Sequence, residues 1–206
     1  MSAPVVTRPS ATVSEGAGTA RRVPGEPGVW LLVLLDMSVF AVLFVAFLLD
    51  RRNEPEAFAA GQADLTLVLG LVNTLVLVTS SALVAGVVRR SRAGVGGTER
   101  LLLGSLACGV VFGVLKVVEW AHLLDKGVEP DTGTYSMWFF VLTGLHLVHL
   151  LIGSLGLVTL LVIGRRDAHR EVAADRRALV EVVATYWHMV DLLWLVIFPL
   201  VYLGAS

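Results

Sequence analysis

Residues 137–163 read MWFFVLTGLHLVHLLIGSLGLVTLLVI, and no Asp, Glu, Lys or Arg interrupts them. A bilayer hydrocarbon core about 30 Å thick needs roughly 20 apolar residues in a helix that rises about 1.5 Å per residue. This stretch is longer than that and predominantly apolar. It therefore reads as a membrane-spanning helix.

Working outward from it, four more stretches pass the same test: Gly28 to Leu49, Leu65 to Val88, Leu101 to Leu124, and Leu179 to Leu203. Composition agrees. The chain has 206 residues, of which 56% are hydrophobic and 16% charged, where a soluble domain carries about a quarter charged. The expectation is an all-α membrane protein, a five-transmembrane-helix bundle occupying residues 28–206. Residues 1–27 are rich in Pro, Ser, Thr, Ala and Gly and have no apolar periodicity. They read as a disordered N-terminal tail. The single cysteine, Cys108, excludes an intrachain disulfide and a thiolate metal cluster.

Orientation follows from the basic residues. The tail and the second and fourth connections carry twelve arginines, while the other two connections carry Arg51, Arg52 and Lys126 among Asp50, Glu54, Glu56, Asp64, Asp125, Glu129 and Asp131. The N-terminus is expected in the cytoplasm and the C-terminus outside.

Ionisable residues at membrane depth are costly and point to function or to helix packing. They are Asp36 on the first span; Lys116, Glu119 and His122 on the third; His146 and His149 on the fourth; and His188 and Asp191 on the fifth. Neighbours three residues apart share a helix face. Each set can thus face one interior, with Lys116–Glu119 and His188–Asp191 as candidate pairs. Asp36, His149, His188 and Asp191 all fall near mid-membrane at about 1.5 Å per residue. Three readings fit this pattern: a metal or b-type haem held by histidines, a proton or ion path, or a hydrogen-bonded network that fixes packing and binds lipid or a partner. Inverted repeats and broken helices, frequent in transporters, are not evident. No glycine-rich phosphate loop, Ser–His–Asp set or basic nucleic-acid patch stands out.

Small and aromatic residues carry a packing signal. Gly144, Gly153 and Gly156 on the fourth span, and Gly104, Gly109 and Gly113 on the third, permit close helix approach. Trp30, Trp120 and Trp138 stand near span ends, where aromatic anchors are common. Trp187 and Trp194 are seven apart, on one face of the last span, and read as packing residues.

Several of these residues form a recognisable series. Tyr186-Trp187-His188-Met189-Val190-Asp191-Leu192-Leu193-Trp194 resembles the last-helix motif of subunit III of the haem–copper cytochrome oxidases. Thr143-Gly144-Leu145-His146-Leu147-Val148-His149, followed by Gly153, resembles that family's penultimate-helix motif. Lys116 to Glu119-Trp120 resembles its buried lysine and glutamate segment. Asp36-Met37-Ser38-Val39-Phe40 stands where the family has a glutamate followed by Met and Phe. The similarity runs over residues 25 to 204, in the shorter five-helix form. Pro24-Gly25-Glu26-Pro27-Gly28, Asp36, Asn73-Thr74 and Phe198-Pro199-Leu200 look more like the nitric oxide reductase accessory (NorE-like) relatives.

The resemblance implies a multi-pass component of a bacterial plasma membrane with no catalytic group, haem or copper of its own. It implies a larger haem-bearing catalytic subunit as partner, bound phospholipid between the helices, and support of proton uptake and sustained turnover. It makes Glu119 the family's buried carboxylate near lipid. It also implies two groups of spans, the first two against the last three, around a lipid-filled cleft. A stand-alone b-type cytochrome or a proton/ion transporter is the alternative.

Overall fold

The computed structural model describes residues 27–63, 65–166 and 173–203; the tail, expected to be disordered, falls outside them apart from Pro27. The described residues form six helices: α1 Pro27–Asn53, α2 Pro55–Ala63, α3 Leu67–Arg92, α4 Glu99–Asp125, α5 Thr134–Arg166 and α6 Ala173–Tyr202. All but α2 are long and apolar enough to cross a membrane. They coincide with the five expected spans but run further at most ends, by one to six residues. Hydropathy marks the part that meets hydrocarbon, whereas a helix continues until something caps it.

The caps are visible. Gly94 and Gly127 follow α3 and α4 with φ of +67° and +77°. After α4, the Val128 amide donates to the Leu123 carbonyl and the Gly127 amide to Leu124, both at 2.9 Å. After α3, Val95 donates to Arg90 at 3.0 Å and Gly94 to Ser91 at 3.2 Å. Both ends are Schellman turns, which need a left-handed residue that glycine supplies without strain. Pro27 and Pro55 open α1 and α2, at positions where a missing N–H is harmless.

The short helix α2 lies in a connection expected to be acidic loop. Nine residues fall well below the span threshold, and only two of its side chains are buried, Phe58 and Gln62. Phe58 packs edge-on to Phe47 of α1 and Tyr135 of α5, with centroids 5.2 and 5.5 Å apart. Gln62 Nε2 donates to the Val201 carbonyl at 3.0 Å, and the Tyr135 hydroxyl donates to the same oxygen at 2.9 Å. The last carbonyls of a helix lack intrahelical partners, so α2 and Tyr135 together close the C-terminal end of α6.

α6 is the hub of the bundle. It packs against α3, α5 and α1, while α3 and α5 each pack on α4. The expected division, first two spans against last three, is therefore corrected. α3 packs chiefly on α4 and α6, and α1 stands apart against α5 and α6. The reason lies in the α3 and α4 surfaces. Ser80 and Ser105 are fully buried and each hydroxyl donates to the other's carbonyl, at 3.1 and 3.4 Å. Small residues with hydroxyls let two helix backbones approach and bond in an apolar medium. α1 presents no such surface.

The helices alternate in direction. Arg92 of α3 pairs with Glu181 of α6, and Arg165 of α5 with Glu99 of α4, each with Nε 2.9 Å from a carboxylate oxygen. At the opposite end, Trp138 of α5 donates to Asp50 of α1 at 2.8 Å. One end of the bundle is thus rich in arginine and the other in acid.

Candidate functional site: a polar interior centred on α6

Trp194 organises the middle of the interior. Its indole N–H donates to Thr74 of α3 at 3.0 Å. Phe112 of α4 meets it edge-on with centroids 4.8 Å apart, and the His146 ring of α5 lies 5.1 Å away. Lys116 Nζ sits 4.6 Å from the indole centroid, a range that gives cation–π attraction and more of it when water is excluded. One side chain of α6 therefore touches three other helices.

Toward the acidic end the same lysine enters a closed triad. Lys116 Nζ is 2.6 Å from Glu119 Oε2 and 2.7 Å from the Tyr202 hydroxyl, and that hydroxyl lies 2.7 and 2.8 Å from the two Glu119 oxygens. Lys116 is 0% exposed and Glu119 5%. Buried charges persist when paired and hydrogen-bonded together, and here each member satisfies the other two. The triad ties α4 to the end of α6. Glu119, expected as a buried carboxylate, is enclosed by the bundle. Tyr202 was not among the candidate residues. The signal for it was weak: it stands eight residues after Trp194, near the same face of the last span.

Trp187, one turn pair earlier, fills a slot between α4 and α5. A β-carbon placed on Gly153 would lie 2.9 Å from its ring, and one on Gly109 would lie 3.3 Å away. Gly153 thus leaves no room for a side chain and Gly109 little, in line with the close helix approach expected at both. Gly144 faces Trp120 at ordinary contact distance, 3.6 Å. Trp120 and Trp138 donate their N–H groups to Thr143 at 3.2 Å and Asp50 at 2.8 Å.

The remaining candidates separate into three places. Asp36 of α1 and His149 of α5 face each other, with Nε2 3.6 Å from Oδ2. His149 Nδ1 lies 2.7 Å from the Leu145 carbonyl, so that nitrogen carries hydrogen.

His188 and Asp191 do not bond to each other. The His188 ring reaches across to Ser81 of α3, Nδ1 to Oγ 2.7 Å. Asp191 is 5% exposed, and although Ser81 lies within its range, neither carboxylate oxygen gains a hydrogen bond. Asp191, His188, Ser81 and Thr74 line a cavity of about 270 Å³ between α3 and α6.

His122 is exposed, correcting its placement with Lys116 and Glu119. Six residues turn a helix by about 240°, so the three-residue spacing drifts off the buried face. His146 is fully buried with neither ring nitrogen bonded. Among the described residues no three His, Cys, Asp or Glu side chains converge as metal ligands would.

Comparison with known proteins agrees with this arrangement of motifs. The family model for cytochrome c oxidase subunit III matches residues 25–206. Cytochrome c oxidase subunit 3 of Corynebacterium diphtheriae is 30% identical over 184 residues, 87% of this chain and 88% of that one. Cytochrome bo(3) ubiquinol oxidase subunit 3 of Pseudomonas aeruginosa is 27% identical, over 87% of this chain and 84% of that one. The heme-copper oxidase subunit I+III of Aeropyrum pernix is 31% identical over 85% of this chain, which spans 22% of that longer protein. Five apolar spans, the last-helix aromatic and polar series, and a match across the membrane domain place this chain in the cytochrome c oxidase subunit III family.

Proposed function

We propose that this protein docks beside the haem-bearing catalytic subunit of a respiratory oxidase in a bacterial plasma membrane, supplying no catalytic group and stabilising that subunit through sustained turnover. The observation that carries this is the relative in which a region similar to this chain is joined to subunit I in a single polypeptide. Such a fusion keeps two parts adjacent.

The α3–α6 cavity supports the reading. Most surfaces turned to the bilayer are plainly apolar, as in Val110, Val114 and Val117 of α4 or Leu151 and Leu155 of α5. The cavity instead holds an unbonded carboxylate beside His188. A buried carboxylate without a donor is costly, and a helix carrying a hydrogen-bond donor would relieve that cost.

The arginine asymmetry supports a cytoplasmic N-terminus, with Val201 to Leu203 toward the outer face. In this reading the Lys116–Glu119–Tyr202 triad braces α4 against α6 so that the docking helices keep their spacing. Its effect on proton uptake is indirect, through the stability of the complex. Glu119→Gln is accordingly expected to leave the initial turnover rate intact while shortening its duration. Loss of all activity from the first turnover would contradict an accessory role.

The experiment is purification in mild detergent. The chain is expected to co-elute with a larger subunit that shows haem absorption, and to show none when separated from it. A stoichiometric haem on the isolated chain would overturn the reading in favour of a b-type cytochrome. A second reading, accessory to a nitric oxide reductase, draws on Asp36, Asn73-Thr74 and Phe198-Pro199-Leu200. Turnover of the purified complex with oxygen against nitric oxide separates the two.

A further inference from the structure

Two of the polar residues that line the α3–α6 cavity are already spent. The Thr74 hydroxyl donates to the Gly70 carbonyl at 2.9 Å and accepts the Trp194 N–H at 3.0 Å. Ser81 Oγ is held by His188 Nδ1 at 2.7 Å. The other groups stay open. Neither Asp191 oxygen has a hydrogen bond, although the residue is only 5% exposed. His188 Nε2 likewise has no hydrogen bond among the described residues. The two residues are three apart on α6, so they share a face and stand about 4.5 Å apart along the axis.

The rest of the wall is apolar. Leu77 is buried, while Val78 and Leu195 are exposed on the bilayer side, so the cavity opens to hydrocarbon. A few convergent polar groups in an apolar hollow between helices make the pattern of a small-molecule site. Three conditions limit the occupant. It arrives through lipid near mid-membrane, so it carries no net charge, which would be costly there. It offers a hydrogen-bond donor, because a buried carboxylate otherwise stays unrelieved. It is about the size of one substituted ring, which fits a cavity of about 270 Å³.

We propose that this cavity binds the headgroup of a membrane hydroquinone. One phenolic hydroxyl donates to Asp191, the other meets His188 Nε2, and the ring lies against Trp194 and Leu77. A phenol is a stronger acid than an aliphatic alcohol, hence the better donor to a carboxylate. The oxidised quinone carries only acceptors and leaves Asp191 unrelieved, so the cavity prefers the reduced form. The inference goes beyond docking: a neighbouring helix would close the mouth of the cavity over the ring. Co-elution reads the docking and ligand titration reads this site, so either can fail alone.

The test uses the full chain in lipid nanodiscs without oxygen, titrated with decylubiquinol or decylubiquinone while thermal unfolding is followed. The quinol is expected to stabilise the chain at a concentration at least about tenfold lower than the quinone does, the worth of one hydrogen bond to a charged group. Asp191→Asn replaces one acceptor oxygen with an amide N–H and should bring the two forms level. Asp36→Asn removes a carboxylate at similar depth outside the cavity and should leave the preference intact. Ala85→Leu keeps the carboxylate, fills the cavity and should weaken binding of both forms, which keeps the test decisive should Asp191→Asn fail to fold. In the complex co-eluted with the catalytic subunit, the parent should still gain more from the quinol than Asp191→Asn does. No saturable stabilisation by the quinol, equal affinity for both forms in the parent, or a preference that survives Asp191→Asn would each overturn the proposal. So would loss of the parent's advantage in the complex, which would show that a partner side chain takes Asp191 instead.

Discussion

α1 and α6 cross the same bilayer and use hydrophobicity in opposite ways. α1 has the highest hydropathy of the five spans, yet only 11% of its membrane stretch is buried; α6 has the lowest, and half of its stretch is buried, 50%. In water the more apolar helix would go inside. In lipid an apolar face gains nothing by leaving hydrocarbon for protein, so close packing and polar contacts decide the centre. α6 carries both. Trp187 fits against two glycines, Trp194 touches three helices, and Tyr202 closes the ion-pair triad. α1 places Asp36 opposite His149, Phe40 edge-on to the same ring, and Asp50 as acceptor of the Trp138 N–H near its end.

That contrast can be broken most forcefully at the triad. Glu119→Leu leaves Lys116 buried and unpaired, and breaking such a pair costs about 3–5 kcal/mol. Thermal or denaturant unfolding in detergent should show the loss. The double variant Lys116→Met with Glu119→Leu should recover most of it, since an apolar replacement of a whole buried pair is often neutral. A double variant as unstable as the single one would mean that the pair is not the brace described.

The next largest effect is expected at Gly153. Gly153→Leu forces the Trp187 ring to move, and overpacking of this kind costs about 1–3 kcal/mol. Gly144→Ala, facing Trp120 at contact distance, should change the unfolding midpoint far less. Equal effects at the two glycines would show that general helix propensity, not the Trp187 slot, sets the cost.

A smaller effect belongs to Thr74→Val, which removes the acceptor of the Trp194 N–H. Interhelical hydrogen bonds in membranes average about 0.6 kcal/mol, so the drop should be of that order. The smallest effect lies on α1. Leu35→Ala, on an exposed face, should fall within about 0.5 kcal/mol of the parent. A large loss there would contradict the peripheral position of α1.

The spans were legible because hydrocarbon imposes a length and a composition, and both appear in stretches such as 137–163. Glu119 with Lys116 was legible because two charges three residues apart in an apolar run have few alternatives. Other features depended on a partner from a distant part of the chain. Nothing near Tyr202 announces Lys116, and nothing near His188 announces Ser81 rather than Asp191. The two-group arrangement failed for the same kind of reason. Which helix α3 packs against is set by the Ser80–Ser105 exchange, and a serine in an apolar run does not state its partner. His122 misled because three-residue spacing follows a helix face for only a turn or so.

The claim that polar contacts on α6 hold the bundle together is tested most directly by a double-mutant cycle between Tyr202 and Lys116. Tyr202→Phe, Lys116→Met and the double variant would each be unfolded in the same detergent and lipid. The structure predicts that the two substitutions are strongly non-additive, with a coupling of about 0.5–3 kcal/mol for residues sharing one network. Additive losses would show that Tyr202 and Lys116 act independently and would contradict α6 as the organising helix.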